Sequence, residues 1–327
     1  MGRPAGRGIF ARRHNHASGA GKPSVGGQAV LEGVMMRGPS SWSVACRRPD
    51  ESIAVERHPL PTLAERHRWL KWPLFRGCLV LGESLAIGIK ALMISANQAL
   101  EEEEQLTNKQ LGWTMTTALV LFSAIFIVLP VLASRLIGGL VSGAEGSSDL
   151  VSNLIEGAVR LSMFVGYLLI IGQFKDVRRV FQYHGAEHKT IYAYENGDEL
   201  DPQEIDDNYS TLHVRCGTNF LFIVLFLTIA AHFVMDLFLP AALVPRIALR
   251  LAAIPVLAGF SYEVIKLASR NEESVFFKIS MLPGLALQKI TTKPPSLDQI
   301  EVAIEAMKAV ASDVGGAGRA GPEAPVS

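Results

Sequence analysis

Charge and cysteine are both scarce in this chain. Only 19% of its 327 residues are charged, against roughly 25% in soluble domains. Its 31 basic and 31 acidic side chains cancel, so the basic footprint expected of a nucleic-acid binder is missing and no nucleic-acid partner is expected. Three widely spaced cysteines, Cys46, Cys78 and Cys216, exclude a disulfide framework. The first residues hold no apolar core of a secretory signal, so no cleaved leader is expected. Apolar residues are what the chain has in quantity, 49% of the total, and they are gathered into runs. Runs of that kind predict a mainly α, polytopic helical membrane protein, with the lipid bilayer as its largest partner.

Four segments are candidate spans. Residues 111–134 carry no charge and exceed the roughly 20 residues that a bilayer requires. Residues 153–174, 217–239 and 247–268 follow, and the last two are joined by a short link around Pro240 that makes them an antiparallel hairpin. Lys175, Arg178, Arg179 and Lys189 follow the second span, whereas Arg135 alone is basic in the link before it. This bias puts both termini and segment 175–216 in the cytoplasm, with Arg246 and Arg250 as the dissenting charges. Residues 71–104 are apolar but carry Arg76, Glu83 and Lys90, which predicts an amphipathic or partly inserted helix. Residues 1–24 read as a disordered basic arm and 313–327 as a disordered tail.

Between these lie two small folded regions. In the β-rich stretch 25–70, Trp42 to Arg47 and Ser52 to Arg57 flank Pro49-Asp50-Glu51, the pattern of a β-hairpin. The run Ala29 to Met36 is bracketed by Gly26-Gly27 and Gly38-Pro39 and contains Glu32, next to Arg37; the plain reading is a strand with a Glu–Arg pair. In the cytoplasmic C-terminal region 269–312, apolar residues recur at Ile300, Ala303, Ile304 and Met307, as on one face of a helix that starts at Ser296.

The strongest chemical signal is His184-Gly-Ala-Glu187-His188, in the polar loop 175–216. On a helix two histidines four residues apart share one face and can share one metal ion, with the neighbouring glutamate as proton acceptor. The order H-x-x-E-H is that of the inverted zinc-protease signature. A catalytic zinc needs a third ligand, and the same loop supplies His213 and Cys216, with Glu195 and Arg215 nearby. Glu263, near the cytoplasmic end of the fourth span, is costly there unless paired or coordinating. The plainer readings are surface histidines, a small buried cysteine, and a Glu263 paired with Lys266 or Arg215. The seven carboxylates between Glu195 and Asp207 lack calcium-loop spacing and read as a solvated loop.

Taken together, Gly26-Gly-Gln28-Ala-Val-Leu-Glu32-Gly-Val-Met-Met36-Arg37-Gly-Pro39, Tyr183-His-Gly-Ala-Glu-His-Lys-Thr190, His213-Val-Arg-Cys-Gly-Thr218 and Ser261-Tyr-Glu263 resemble the YqhQ-like family of bacterial membrane proteins, domain of unknown function 1385. The resemblance covers about residues 24 to 312. It implies a multi-pass protein of the bacterial inner membrane with a metal centre, and a metal-dependent enzyme. His184, Glu187, His188, His213, Arg215, Cys216 and Glu263 match the family pattern; Val214 stands where the family commonly has Pro. Two functions remain. One is a membrane-bound, zinc-dependent hydrolase with Glu187 as base and Arg215 or His213 at the oxyanion. The other is a non-enzymatic transporter or membrane-protein assembly or quality-control factor, in which a structural metal held by His184, His188, His213 and Cys216 staples the loop.

Overall fold

Period-two burial builds the N-terminal sheet. Strands β1 (Gly26–Val30), β2 (Gly33–Arg37), β3 (Ser41–Arg47) and β4 (Ile53–Pro59) form an antiparallel meander in that order. Val34, Met36 and Ala45 point to one core, whereas Met35, Trp42, Val44 and Cys46 point to another. Both faces are therefore covered, and β2 and β3 are buried on each side. The hairpin expected around Pro49-Asp50-Glu51 is β3–β4, in register from Ser41 opposite Pro59 to Arg47 opposite Ile53.

This computed structural model describes residues 25–60, 72, 75–99, 107–129, 132, 133, 136, 149–214, 216–236, 243–268 and 274–316. After the sheet, those residues form α1 (Phe75–Gln98), α2 (Asn108–Ser123, continued by a π turn over Ala124–Val128), α3 (Asp149–Ile171), α4 (Lys175–Asn196), α5 (Pro202–Asn208), α6 (Gly217–Asp236), α7 (Leu243–Ala268), α8 (Val275–Thr291) and α9 (Leu297–Gly316). The chain is mainly helical. The arm 1–24 and most of the tail 313–327 lie outside the described residues.

Helices α4 and α9 cover one face of the sheet and α1 covers the other. On α9 the predicted face is the buried one: Ile300, Ala303 and Met307 are inaccessible. Ser43 of β3 fixes the register by donating to the Ala306 carbonyl at 2.7 Å. Gln299 accepts from the Ser296 N–H at 3.0 Å, one arm of a capping box. On the opposite face Ile87 and Ala91 of α1 pack on Val30, Met35 and Val44.

The spans differ from expectation. Helices α1, over Arg76–Gln98, and α6, over Gly217–Met235, are long and apolar enough to cross a membrane. A third exists if α3 and α4, bent by 99° at their junction, count as one span. Four spans are thus not found among the described residues. Within the segment 71–104, expected to be amphipathic or partly inserted, Glu83 lies 3.6 Å from Arg37 of β2, so its charge faces protein. The first expected span falls short because its apolar helix, Gly112–Phe126, is too short, and several residues of 111–134 lie outside the described set. Helix α7 has the length but carries Arg246, Arg250, Glu263 and Lys266.

The core between α9 and the sheet generates a stability prediction. Met307→Ala should cost about 2–5 kcal/mol through the cavity it leaves. Lys308→Ala, at an exposed ion pair with Glu305, should change stability by less than about 0.5 kcal/mol. Thermal unfolding of the full chain in detergent checks both.

Candidate metal centre

The expected loop 175–216 is instead two helices, and the motif lies inside the first. Helix α4 is polar in sequence yet interior in position: Tyr183, Glu187, His188, Lys189 and Thr190 are all buried. It ends on Gly197 at φ 80°, where the Asp198 N–H donates back to the Ala193 carbonyl at 3.1 Å, a closure that glycine adopts without strain. A polar helix survives burial only if its side chains find partners. Lys189 donates to both the backbone and carboxylate oxygens of Asp206, at 2.7 and 2.8 Å. Tyr183 and Arg179 reach the Glu32 carboxylate in the β1–β2 turn, where Glu32 holds φ 50°. Glu32 and Arg37 thus take other partners: Arg37 donates to Ser84 at 2.6 Å. The acidic stretch after α4 is structural as well as solvated, since Asp201 caps α5 and Asp206 holds Lys189.

The two motif histidines are fixed by backbone carbonyls. His184 Nδ1 lies 2.9 Å from the Thr291 oxygen, and His188 Nδ1 lies 2.5 Å from the Thr211 oxygen. A carbonyl only accepts, so each Nδ1 carries the proton and each Nε2 presents a lone pair. That second-shell arrangement is typical of metal-ligating histidine. The Thr291 carbonyl is free to serve because it belongs to the last turn of α8, where carbonyls have no helical donor.

His184 Nε2 faces Cys216. His184 Nε2 is 3.3 Å from Cys216 Sγ, and the ligand atoms of His184, His188 and Cys216 all lie within 4.8 Å of one another. Two ligands of one tetrahedral zinc, at about 2.0 and 2.3 Å from it, stand roughly 3.5 Å apart. His188 Nε2 is buried and has no hydrogen-bond partner among the described residues. An orphaned buried acceptor facing a thiol and a second imidazole is the donor set that suits zinc, so the residues fit the ion. Cys216 itself sits at the start of α6, where the Thr218 N–H donates to its sulfur at 3.3 Å.

Two glycines allow these elements to close. A Cβ at Gly185 would stand 2.2 Å from the Lys293 carbonyl oxygen. The segment after α8 therefore crosses α4 at Gly185, and Lys293 donates to the Phe181 carbonyl at 2.9 Å. A Cβ at Gly27 would stand 2.6 Å from Glu187 Oε1, so β1 lies directly on the glutamate side chain. Burial pushes the Glu187 carboxyl up to about 7, offset in part by His184 beside it.

The remaining expected residues divide. His213 is buried, with its ring 5.5 Å from that of His188 and 4.3 Å from that of Tyr192, but it is outside the three-atom cluster. Its backbone is held instead: Gln288 accepts from the His213 N–H and donates to its carbonyl, both at 2.8 Å, and donates to Asn219 at 3.2 Å. Glu263 is not brought to the cluster. It accepts from Arg76 at 2.7 and 2.8 Å where α1 crosses α7 at Gly77 and Gly259, because an apolar helix holds a carboxylate most cheaply beside a countercharge. Arg215 lies outside the described residues. Sequence reading missed Thr211, Thr291 and Gln288, and it read Gly27 only as a turn residue. Only Gln288, polar within an apolar helix, carried a signal.

Comparison with known proteins agrees with the motif pattern. A family described as protein of unknown function, DUF1385, matches residues 72–313. An uncharacterized protein YqhQ of Bacillus subtilis (strain 168) is 35% identical over 300 residues, which cover 86% of this chain and 91% of that relative. No solved structure matches. On these matches, the chain belongs to the DUF1385 family, whose members include YqhQ.

Proposed function

We propose that this protein is a zinc-dependent hydrolase of the bacterial inner membrane, working at the cytoplasmic membrane face. The observation that carries the reading is the cluster of three ligands beside a buried carboxylate. Structural zinc sites are closed by four protein ligands, whereas catalytic ones keep a position open. His184, His188 and Cys216 come together, and His213 stays outside their cluster. The Lys and Arg bias of the sequence supports a cytoplasmic site, with the cluster at the start of the apolar helix α6.

When bound there, zinc supplies Lewis acidity, polarising a carbonyl and making water easier to deprotonate. The chain's own residues do the rest. His184 and His188 are oriented by the Thr291 and Thr211 carbonyls, which hold the two rings in place. Glu187 is one residue from His188 and three from His184, on the same helix. Glu187 takes a proton from the attacking water and returns it to the leaving group. Arg215, adjacent to Cys216 in sequence, is assigned to the developing oxyanion.

The ligand set predicts that purified full-length protein carries close to stoichiometric zinc and that His184→Ala, His188→Ala and Cys216→Ala lose it. Elemental analysis reads this directly, and a zinc-free wild type that stays folded would sink the reading.

The Gly185 crossing predicts a second effect. Gly185→Val should displace the Thr291 carbonyl and weaken zinc binding by about 10–100-fold, the range for lost second-shell support. Competition with a chromogenic chelator measures it.

Glu187 separates a catalyst from a staple. Glu187→Gln preserves size but accepts no proton, a loss of about 10²–10⁴-fold in rate. It should keep zinc and membrane abundance yet fail to restore function in a strain lacking its own copy of the gene. Normal complementation would favour the non-enzymatic reading, a transporter or assembly factor with a structural metal.

A further inference from the structure

The sheet has one edge that is built to be extended. Strand β1 is terminal in the order β1-β2-β3-β4, and among the described residues no strand lies outside it. The ladder parity fixes which backbone groups face that edge. The Arg47 N–H donates to the Glu32 carbonyl and the Gly38 N–H to the Ser41 carbonyl, so the even-numbered residues of β2 bond to β3. Its odd-numbered residues bond to β1, through Gly33 opposite Val30, Met35 opposite Gln28 and Arg37 opposite Gly26. Gly27 and Ala29 therefore direct their N–H and C=O groups outward. Proteins usually blunt such an edge with charge or proline. The other edge strand, β4, is blunted in that way by Glu56, Arg57, His58 and Pro59, whereas β1 reads Gly-Gly-Gln-Ala-Val.

The open edge also lies beside the ligand cluster. Helix α9 packs beneath β2, β3 and β4, and α4 packs beneath β1. At about 100° per residue, Glu187 lies about 60° around α4 from His184 and about 100° from His188. Gly27 rests on Glu187, so β1 overlies the helix face next to the two histidines. A strand added to β1 would lie about 4.8 Å beyond it.

We infer that the edge of β1 binds an extended polypeptide as a fifth strand and holds its backbone against the His184, His188 and Cys216 cluster. The substrate class is then polypeptide, a conclusion that rests on the hydrolase reading above. An array of alternating N–H and C=O groups without charged side chains is matched only by another extended backbone. Hydrolysis adds one water across the peptide C–N bond. The water oxygen goes to the carbonyl carbon, one proton passes through Glu187 to the departing amine nitrogen, and the other leaves with the new carboxyl group.

The test uses zinc-loaded, full-length Glu187→Gln protein in detergent, so that bound chain is not cut, and fluorescein-labelled carboxymethylated casein as an unfolded probe. Ala29→Pro removes one outward N–H while sparing the β2 ladder; Ala29→Val keeps that N–H. With zinc content and thermal midpoint unchanged, Ala29→Pro should weaken casein binding by about tenfold, the loss of one or two backbone hydrogen bonds. Ala29→Val should bind like its parent. Unchanged binding by a folded, zinc-loaded Ala29→Pro protein overturns the proposal. If Ala29→Pro does not fold, a benzophenone photo-crosslinker at Gly26 decides: it must capture casein in excess over one at Val55 on β4, and equal or lower capture overturns the proposal. Casein held at β1 but left intact by the wild type keeps the docking edge and removes the hydrolase reading. Zinc-dependent cleavage of small esters without casein at β1 does the reverse.

Discussion

The arrangement of the ligand cluster depends on one close approach, the backbone of Lys293 against Gly185. The contact lets the chain leaving α8 cross α4 in the middle of the His-Gly-Ala-Glu-His motif. Any side chain at position 185 would push the crossing away, since a Cβ there would be 2.2 Å from the Lys293 oxygen. The crossing brings the last carbonyl of α8, at Thr291, onto His184. On the same side, Thr211 packs near Gly185 and its carbonyl meets His188. One small residue thus sets the tautomer of both imidazoles. Without those carbonyls each ring would be free to rotate or to protonate at the other nitrogen, and the lone pairs would not converge.

Much of the fold was legible because it is periodic. The α9 stripe of Ile300, Ala303, Ile304 and Met307 and the β3–β4 hairpin follow from alternation and turn residues alone. Helix α4 was not legible as a buried helix, because polarity of sequence was taken for exposure. Its polar groups are satisfied by Asp206, Glu32, Thr211 and Thr291. Thr291 is 107 residues from His184, beyond any local pattern. Glu263 was misassigned for a related reason. Its depth called for a partner, and the sequence could not say that Arg76, 187 residues away, would be there. His184, His188 and Cys216 stand out in the sequence by residue type alone, and the fold brings them together.

The same polar burial bears on stability. A buried lysine costs several kcal/mol unless paired, and Lys189 answers that cost with two oxygens of one aspartate. Among the described residues Glu187 forms no salt bridge, and burial raises its pKa. A carboxylate left in that state is poor design for stability alone. Sites that violate local satisfaction are the ones where function is expected.

Cys216 links this interior to the apolar part of the molecule. Its sulfur faces His184 on one side and accepts from the first turn of α6 on the other. An anionic ligand in that position meets the positive end of the α6 dipole. Helix α6 is also held laterally: Gly284 of α8 admits Asn219, whose amide donates to the Val214 carbonyl at 2.6 Å. A rotation of α6 would therefore move Cys216 and break the Gln288 and Asn219 bonds that hold the His213 backbone. A bound ion would tie α4 to α6 by ligand bonds, in addition to the hydrogen bonds that already tie both to α8. The three side chains and the apolar helix are consequently one mechanical unit, joined through α8 by the His184–Thr291 and Asn219–Gln288 bonds.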